Sequence, residues 1–78
     1  MGNLTNKLKF TNNIHVLRAE QRITQQDLAD AIGVTRATII SIEGGNYNPS
    51  LELAFRIANY FNKDIQQIFK ITGEANEK

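Results

Sequence analysis

Cysteine and tryptophan are absent from the 78 residues, and proline, methionine and histidine occur once each. Without cysteine there is no disulfide framework and no thiolate metal site, and a reducing, intracellular setting is the simplest fit. A lone His15, with no pair of carboxylates set for acid–base work, supplies neither a nucleophile–base couple nor a ligand cluster. No enzyme, metal or cofactor is therefore expected. No run approaches the roughly 18 apolar residues that cross a bilayer. Residues 1–20 lack a continuous apolar stretch, so no secretory signal is expected and the cytoplasm, at the nucleoid, is the expected location. Met1-Gly2 opens like a myristoylation site, but Asn6 stands where serine or threonine is required. Asn3-Leu4-Thr5 is a glycosylation sequon without meaning outside a secretory route.

A dominant charge is missing too. Nine lysines and arginines face eight aspartates and glutamates, for a net charge of +1. A strongly basic domain is the clearer footprint of nucleic-acid binding, so any such binding here leans on placed contacts more than on bulk charge. Lys7, Lys9, Arg18 and Arg22 against Glu20 tilt the first 22 residues to the basic side. The middle is mildly acidic and the C-terminal third balanced.

What is present is an ordinary apolar fraction, 41%, in a chain that makes one domain near the lower size limit for a single core. Five helical segments are expected, joined by short turns. "TNNIHVLRAEQRI" carries Phe10, Ile14 and Leu17 at helical spacing, with Thr11 or Asn12 as its cap. "TQQDLADAIG" opens on Thr24 with Asp27 at the capping-box position, has Leu28 and Ile32 as its stripe, and closes on Gly33 as a left-handed C-cap. "TRATIISIEGG" is capped by Thr35 and stops at Gly44-Gly45. In "NYNPS" Pro49 forbids helix at Asn48. "SLELAFRIANYFN" places Leu51, Ala54, Ile57, Ala58 and Phe61 on one face, leaving Leu53, Phe55 and Tyr60 off the stripe. "DIQQIF" has Asp64 as cap and Gln67 at the box position. "KLKF" and "FKIT" alternate with period two. Either they form a small antiparallel ribbon from the two termini, or they are an extended arm and a frayed helical turn. Residues 74–78 are expected as a loose tail.

Residues 24–44 pack helix, glycine turn and helix into the smallest space. A sharp crossing of two short helices needs a small residue at the close approach, a residue at ease at positive φ, and an apolar residue to seal the corner. Ala29, Gly33 and Val34 supply them, as a helix-turn-helix requires. On a wheel of about 100° per residue, Ile39 and Ile42 point to the core. Ala37, Ile40, Ser41 and Gly44 then face outward, flanked by Arg36 and Thr38. This face is small and nearly uncharged, with one long cation at its start, and a face of that kind enters a major groove closely.

"TQQDLADAIGVTRATIISIEGG" resembles the phage Cro/repressor (XRE-type) helix-turn-helix, through Thr24-Gln25, Leu28-Ala29, Gly33-Val34-Thr35, Ile39, Ile42-Glu43 and Gly44 or Gly45. "NYNPSLELAFRIANYFNKDIQQIF" is similar to the family's fourth and fifth helices, most like small stand-alone bacterial regulators of the cytolysin-repressor kind. The resemblance spans about residues 12–69. It implies a mainly all-α, five-helix, lambda-repressor-like domain covering residues 1–78. It also implies a homodimer that binds a double-stranded operator and represses transcription by occupying a promoter. By resemblance, Arg36, Ala37 and Ser41 meet base edges, and Ile40, which the wheel turns outward, is expected to join them against a thymine methyl. Thr24, Gln25, Thr35, Thr38, Asn46 and Tyr47 meet the DNA backbone, with a thymine methyl as the alternative for Thr35 and Thr38, and Gln25 also braces the recognition helix. Arg18 and Glu43 match a structural ion pair. Three departures stand out: an isoleucine at position 40 where relatives are polar, one strong base-reading side chain, and Asn46 where a lysine or arginine is common. They point away from tight binding by a monomer. The surplus of apolar residues near the C-terminus places the dimer contact at Phe55, Ile65, Ile68, Phe69 and Ile71.

Each assignment has a plainer alternative. Arg36 is otherwise a solvated or phosphate-binding arginine. Ala37 and Ser41 are otherwise neutral surface positions, and Ile40 otherwise rests against a neighbouring helix. Asp27 and Asp30 read as a cap and a solvated face, not a metal pair. For the whole chain, the competing functions are an antitoxin-like module that binds a neighbouring protein and a restriction–modification controller that also activates.

Overall fold

The computed structural model describes residues 7–75. The order is β1 (Lys7–Asn12), α1 (Ile14–Gln21), α2 (Gln25–Ile32), α3 (Arg36–Glu43), α4 (Leu51–Phe61), α5 (Ile65–Ile68) and β2 (Phe69–Ala75). The Met1-Gly2 and Asn3-Leu4-Thr5 signals and residues 76–78 of the expected tail lie outside the described residues.

The middle helices begin where the sequence supplies an acceptor for their free N–H groups. Thr24 Oγ1 accepts from the Asp27 N–H at 2.9 Å and Asp27 Oδ2 accepts from the Thr24 N–H at 2.9 Å, a reciprocal box. Thr35 accepts from the Thr38 N–H at 3.2 Å and Ser50 from the Leu53 N–H at 3.1 Å. At α5 the Gln67 side chain reaches back, its Oε1 accepting from the Asp64 N–H at 2.8 Å. Gly33 ends α2 at φ 81°, its N–H bonded to the Ala29 carbonyl at 2.9 Å. Arg22 and Asn62 end α1 and α4 at φ 58° and 56°. Asparagine tolerates that conformation; arginine is strained there.

The start of the first helix corrects the expectation. Phe10 lies in β1, not on a helix face, and Thr11 and Asn12 are strand residues rather than N-caps. The reason is that β1 finds a partner: β2 returns antiparallel beside it, with Phe10 opposite Ile71 and Asn12 opposite Phe69. Asn12 still serves the helix from the end of the strand, because its Oδ1 accepts from the Ile14 N–H at 3.2 Å. Of the two readings of the termini, the ribbon is the one that forms, and β2 continues to Ala75, two residues into the expected tail.

The core is one cluster: Ile14 and Leu17 from α1, Leu28, Ala29 and Ile32 from α2, Ile39 and Ile42 from α3, Leu53, Ile57, Ala58 and Phe61 from α4, and Ile68 from α5. Ile23, Val34, Ile65 and Phe69 pack on its edge. Two positions on α4 exchange roles. Leu51 is 73% exposed and Leu53 is buried, because the arc of α4 that is covered turns toward α2. Ile68 is fully buried, so the single turn of α5 serves to plug the core and Ile68 is not available to a dimer contact. No described helix is long and apolar enough to cross a membrane.

Candidate nucleic-acid interface

The outward face of α3 is defined by what its other face must do. Ile39 and Ile42 are buried at 0% and 1%, which fixes the rotation of a helix of eight residues. Arg36, Ala37 and Ile40 are then exposed, Ile40 at 45%, and Thr38 and Ser41 are half-buried beside them. Thr35 and Thr38 join their hydroxyls at 3.1 Å at the helix start. Tyr47, 46% exposed, comes round from the loop and shares a shallow depression with Ala37, Thr38 and Ser41. On the other flank, Arg36 lines a second depression with Thr24, Gln25 and Gln26 at the start of α2. The start of α2, the exposed side of α3 and Tyr47 thus form one continuous surface. Asn46 is exposed next to Tyr47.

Behind this surface, α3 is held by a polar clamp at its C-terminal end. Arg18 Nε donates to Glu43 Oε2 at 2.6 Å and Arg18 Nη2 to Glu43 Oε1 at 3.1 Å, with both side chains mostly buried. The remaining guanidinium nitrogen, Nη1, donates to the Ile23 carbonyl at 3.1 Å. Gln25 Nε2 also donates to Glu43 Oε1, at 3.2 Å. Arg18 is thereby consumed by structure. Gln25 keeps its second amide hydrogen for an outside acceptor, since a side-chain amide carries two donors.

Two hydrogen bonds escaped sequence reasoning. Asn12 Nδ2 donates to the Ile42 carbonyl at 3.0 Å, fastening the last turn of α3 to the end of β1. Arg56 Nη1 donates to the Ile32 carbonyl at 3.1 Å, capping α2 just before the turn, while Arg56 Nη2 pairs with Glu52 at 2.8 Å. Spacing alone does not reveal either, because each joins residues 24 or more positions apart. At the start of α2, the backbone N–H and hydroxyl of Thr24 hold the exposed Asp27 carboxyl below its ordinary value of 3.8. Among the described residues there is no group of three potential metal ligands.

Of the expected dimer residues, Phe55 and Ile71 are exposed at 51% and 59%, Ile65 and Phe69 are half-buried, and Ile68 is not at the surface.

A helix-turn-helix family model matches residues 14–68. An uncharacterized HTH-type transcriptional regulator of Methanocaldococcus jannaschii is 48% identical over 66 residues, 85% of this chain and 91% of that protein. The cryptic phage CTXphi transcriptional repressor RstR of Vibrio cholerae is 30% identical over 59 residues, 76% of this chain and 53% of that one. Among solved structures, the transcriptional regulator VanUg superposes with a TM-score of 0.73, covering 94% of this chain and 97% of that chain at 23% identity. At that identity the likeness speaks for the fold.

Proposed function

The chain belongs to the Cro/repressor-type helix-turn-helix family, and it is a transcriptional regulator with a helix-turn-helix DNA-binding domain; from there we propose that it is a repressor that binds a palindromic operator as a homodimer and excludes polymerase by occupancy. The observation that carries this reading is the continuous exposed surface from Thr24 and Gln25 across α3 to Tyr47, on a recognition helix whose rotation is fixed by Ile39, Ile42 and Glu43.

In this reading α3 lies in the major groove. Arg36 bonds a guanine through O6 and N7, Ala37 and Ile40 pack on thymine methyl groups, and Ser41 bonds a base edge. Thr24, Gln25, Thr35, Thr38, Asn46 and Tyr47 meet phosphates on either side and set the register without reading sequence. Gln25 links the two tasks, because one amide hydrogen holds Glu43 and the other is left for phosphate. One short helix reads few bases, so a two-fold pair of chains reads two half-sites about 34–36 Å apart. The protein would act in the cytoplasm, at the DNA. The printed name of the Vibrio cholerae relative, a repressor, supports the direction of regulation.

Footprinting on the DNA flanking its own gene tests the proposal. The expected result is a protected palindrome overlapping a promoter, competed by the same duplex and not by random duplex at moderate salt. Equal affinity for both duplexes would remove sequence-specific regulation from consideration.

A further inference from the structure

The two ends of α3 are anchored differently. Its start is held locally, by the Thr35 cap and by Gly33 in the turn before it. At its end, the last carbonyls have no partner inside the helix and must find one elsewhere. The loop that follows supplies donors: the Gly44 N–H to the Ile40 carbonyl at 3.0 Å, the Asn46 N–H to Ser41 at 2.9 Å and the Gly45 N–H to Ile42 at 3.0 Å. A loop that follows a helix moves with it, so these bonds close the end without placing it. The Ile42 carbonyl accepts a second hydrogen bond, from Asn12 Nδ2 at 3.0 Å, and this one comes from a strand 30 positions back in the chain. Asn12 is itself fixed on several sides. Its backbone stands opposite Phe69 at the end of the ribbon. Next to it, the Asn13 N–H donates to the Ile68 carbonyl at 3.2 Å and Asn13 Nδ2 to the Gln67 carbonyl at 3.2 Å. Asn12 Oδ1 accepts from the Ile14 N–H at 3.2 Å, which orients the amide with its nitrogen toward α3. One half-buried amide thus joins the first turn of α1, the last turn of α3 and the strand pair.

We infer that Asn12 is a positioning residue for DNA recognition: it holds the last turn of α3 where Ile40 and Ser41 reach base edges. The step rests on the operator reading of α3. The helix is eight residues, about 12 Å, long. Ile40 and Ser41 lie in its last turn beside Ile42, and Arg36 lies at the other end, next to the Thr35 cap. Binding constellations tolerate displacements of about 0.5 Å. A shift of that size at the end of so short a helix takes Ile40 and Ser41 out of register and leaves Arg36 nearly in place. Glu43 ties the same turn to Arg18 and Gln25, but through its own side chain. One tie lets a helix pivot about it. A second tie, made to the main chain from a different element, stops the pivot.

A role as cap for α1 alone would need only the acceptor. Aspartate supplies that acceptor as well as asparagine does, and its charge favours a helix N-terminus. An ionised carboxylate has no hydrogen to give to the Ile42 carbonyl. Asn12→Asp therefore keeps the cap and breaks the tie, leaving oxygen facing oxygen.

The test compares wild type and Asn12→Asp on duplexes in which each base pair of the protected site is changed in turn, well below either melting temperature. Arg36→Ala, Ile40→Ala and Ser41→Ala on the same panel locate the base pair that each side chain reads. Asn12→Asp is expected to lose about tenfold in operator affinity, the effect of one hydrogen bond lost with its acceptor left facing another. Selectivity falls at the base pairs read by Ile40 and Ser41 and is kept at the one read by Arg36. Amide hydrogen exchange rises at Gly44, Gly45 and Asn46 and is unchanged in α2 and α4. Asn62→Ala strains the end of α4 at φ 56°, outside the DNA surface, so it lowers the melting temperature and keeps the wild-type selectivity profile. In a chain that selects its operator, three results overturn the inference: wild-type affinity and selectivity in Asn12→Asp, a loss shared equally by every base pair, or the same altered profile in Asn62→Ala. A wild-type chain that binds every duplex alike removes the operator reading. The exchange data then decide Asn12 separately: faster exchange confined to residues 44–46 upholds it as the residue that places the end of α3, and unchanged exchange removes it.

Discussion

At the scale of the residue, Ile40 is the most informative position. It is 45% exposed on a helix whose two other isoleucines are buried, so nearly half of a large apolar side chain is left facing water. If it packs on a thymine methyl, Ile40→Ala lowers operator affinity by about 1–2 kcal/mol, the value of taking that much apolar side chain out of water. Thermal stability stays the same or rises slightly, since alanine is the better helix former. Isothermal binding and a melting curve on the same sample separate the two quantities. A drop in melting temperature with unchanged affinity would return Ile40 to packing. Arg36 and Gln25 make a matched pair of tests. Arg36→Ala relaxes specificity at one base pair by about 1–3 kcal/mol, whereas Gln25→Ala weakens every duplex alike, as binding to a panel of single-base operator variants would show. Arg18 illustrates the opposite case. It is a long cation near the interface, but three of its N–H directions are already taken by Glu43 and Ile23.

At the scale of the element, the helices are short enough that their ends govern them. The box at the start of α2 is sensitive to acid. The Asp27 carboxyl is held below its ordinary value by Thr24, so its folded-state pKa is depressed. The stability it contributes is fully present above 3.8 and is lost as pH falls through the lower folded-state value. Melting temperatures of wild type and Asp27→Asn, measured across that range, are expected to converge on the acid side and separate above it. The end of α1 offers a gain. Arg22 sits at φ 58° with its N–H on the Ala19 carbonyl and the next N–H, of Ile23, on the Arg18 carbonyl, a geometry that glycine adopts without strain. Arg22→Gly is expected to stabilise the protein by about 1 kcal/mol, read from urea unfolding. At Gly33 the same logic runs in reverse, since φ is 81°, a conformation that a residue with a Cβ adopts only with strain.

At the scale of the whole molecule, the balance of charge decides how binding responds to salt. With a net charge of +1 and mostly neutral side chains along the proposed interface, few counterions are displaced per copy. The slope of log affinity against log salt for the dimer is expected between about −2 and −4, shallow for a DNA-binding protein, and a salt titration measures it directly. The sequence by itself determined the helix-turn-helix: the caps at Thr24 and Thr35, the stop at Gly33, and the split of Ile39 and Ile42 from Ile40. All of these rest on interactions within about four residues or on a helical period, which a linear pattern records. Only the tertiary structure decided that Phe10 belongs to a strand, that Leu53 and not Leu51 enters the core, and that Ile68 is a plug rather than part of a dimer surface. It also decided that Asn12 and Arg56 steady the ends of α3 and α2. Each of these depends on a partner far along the chain, and the return of β2 beside β1 sets which apolar side chains are covered and which are left for another molecule.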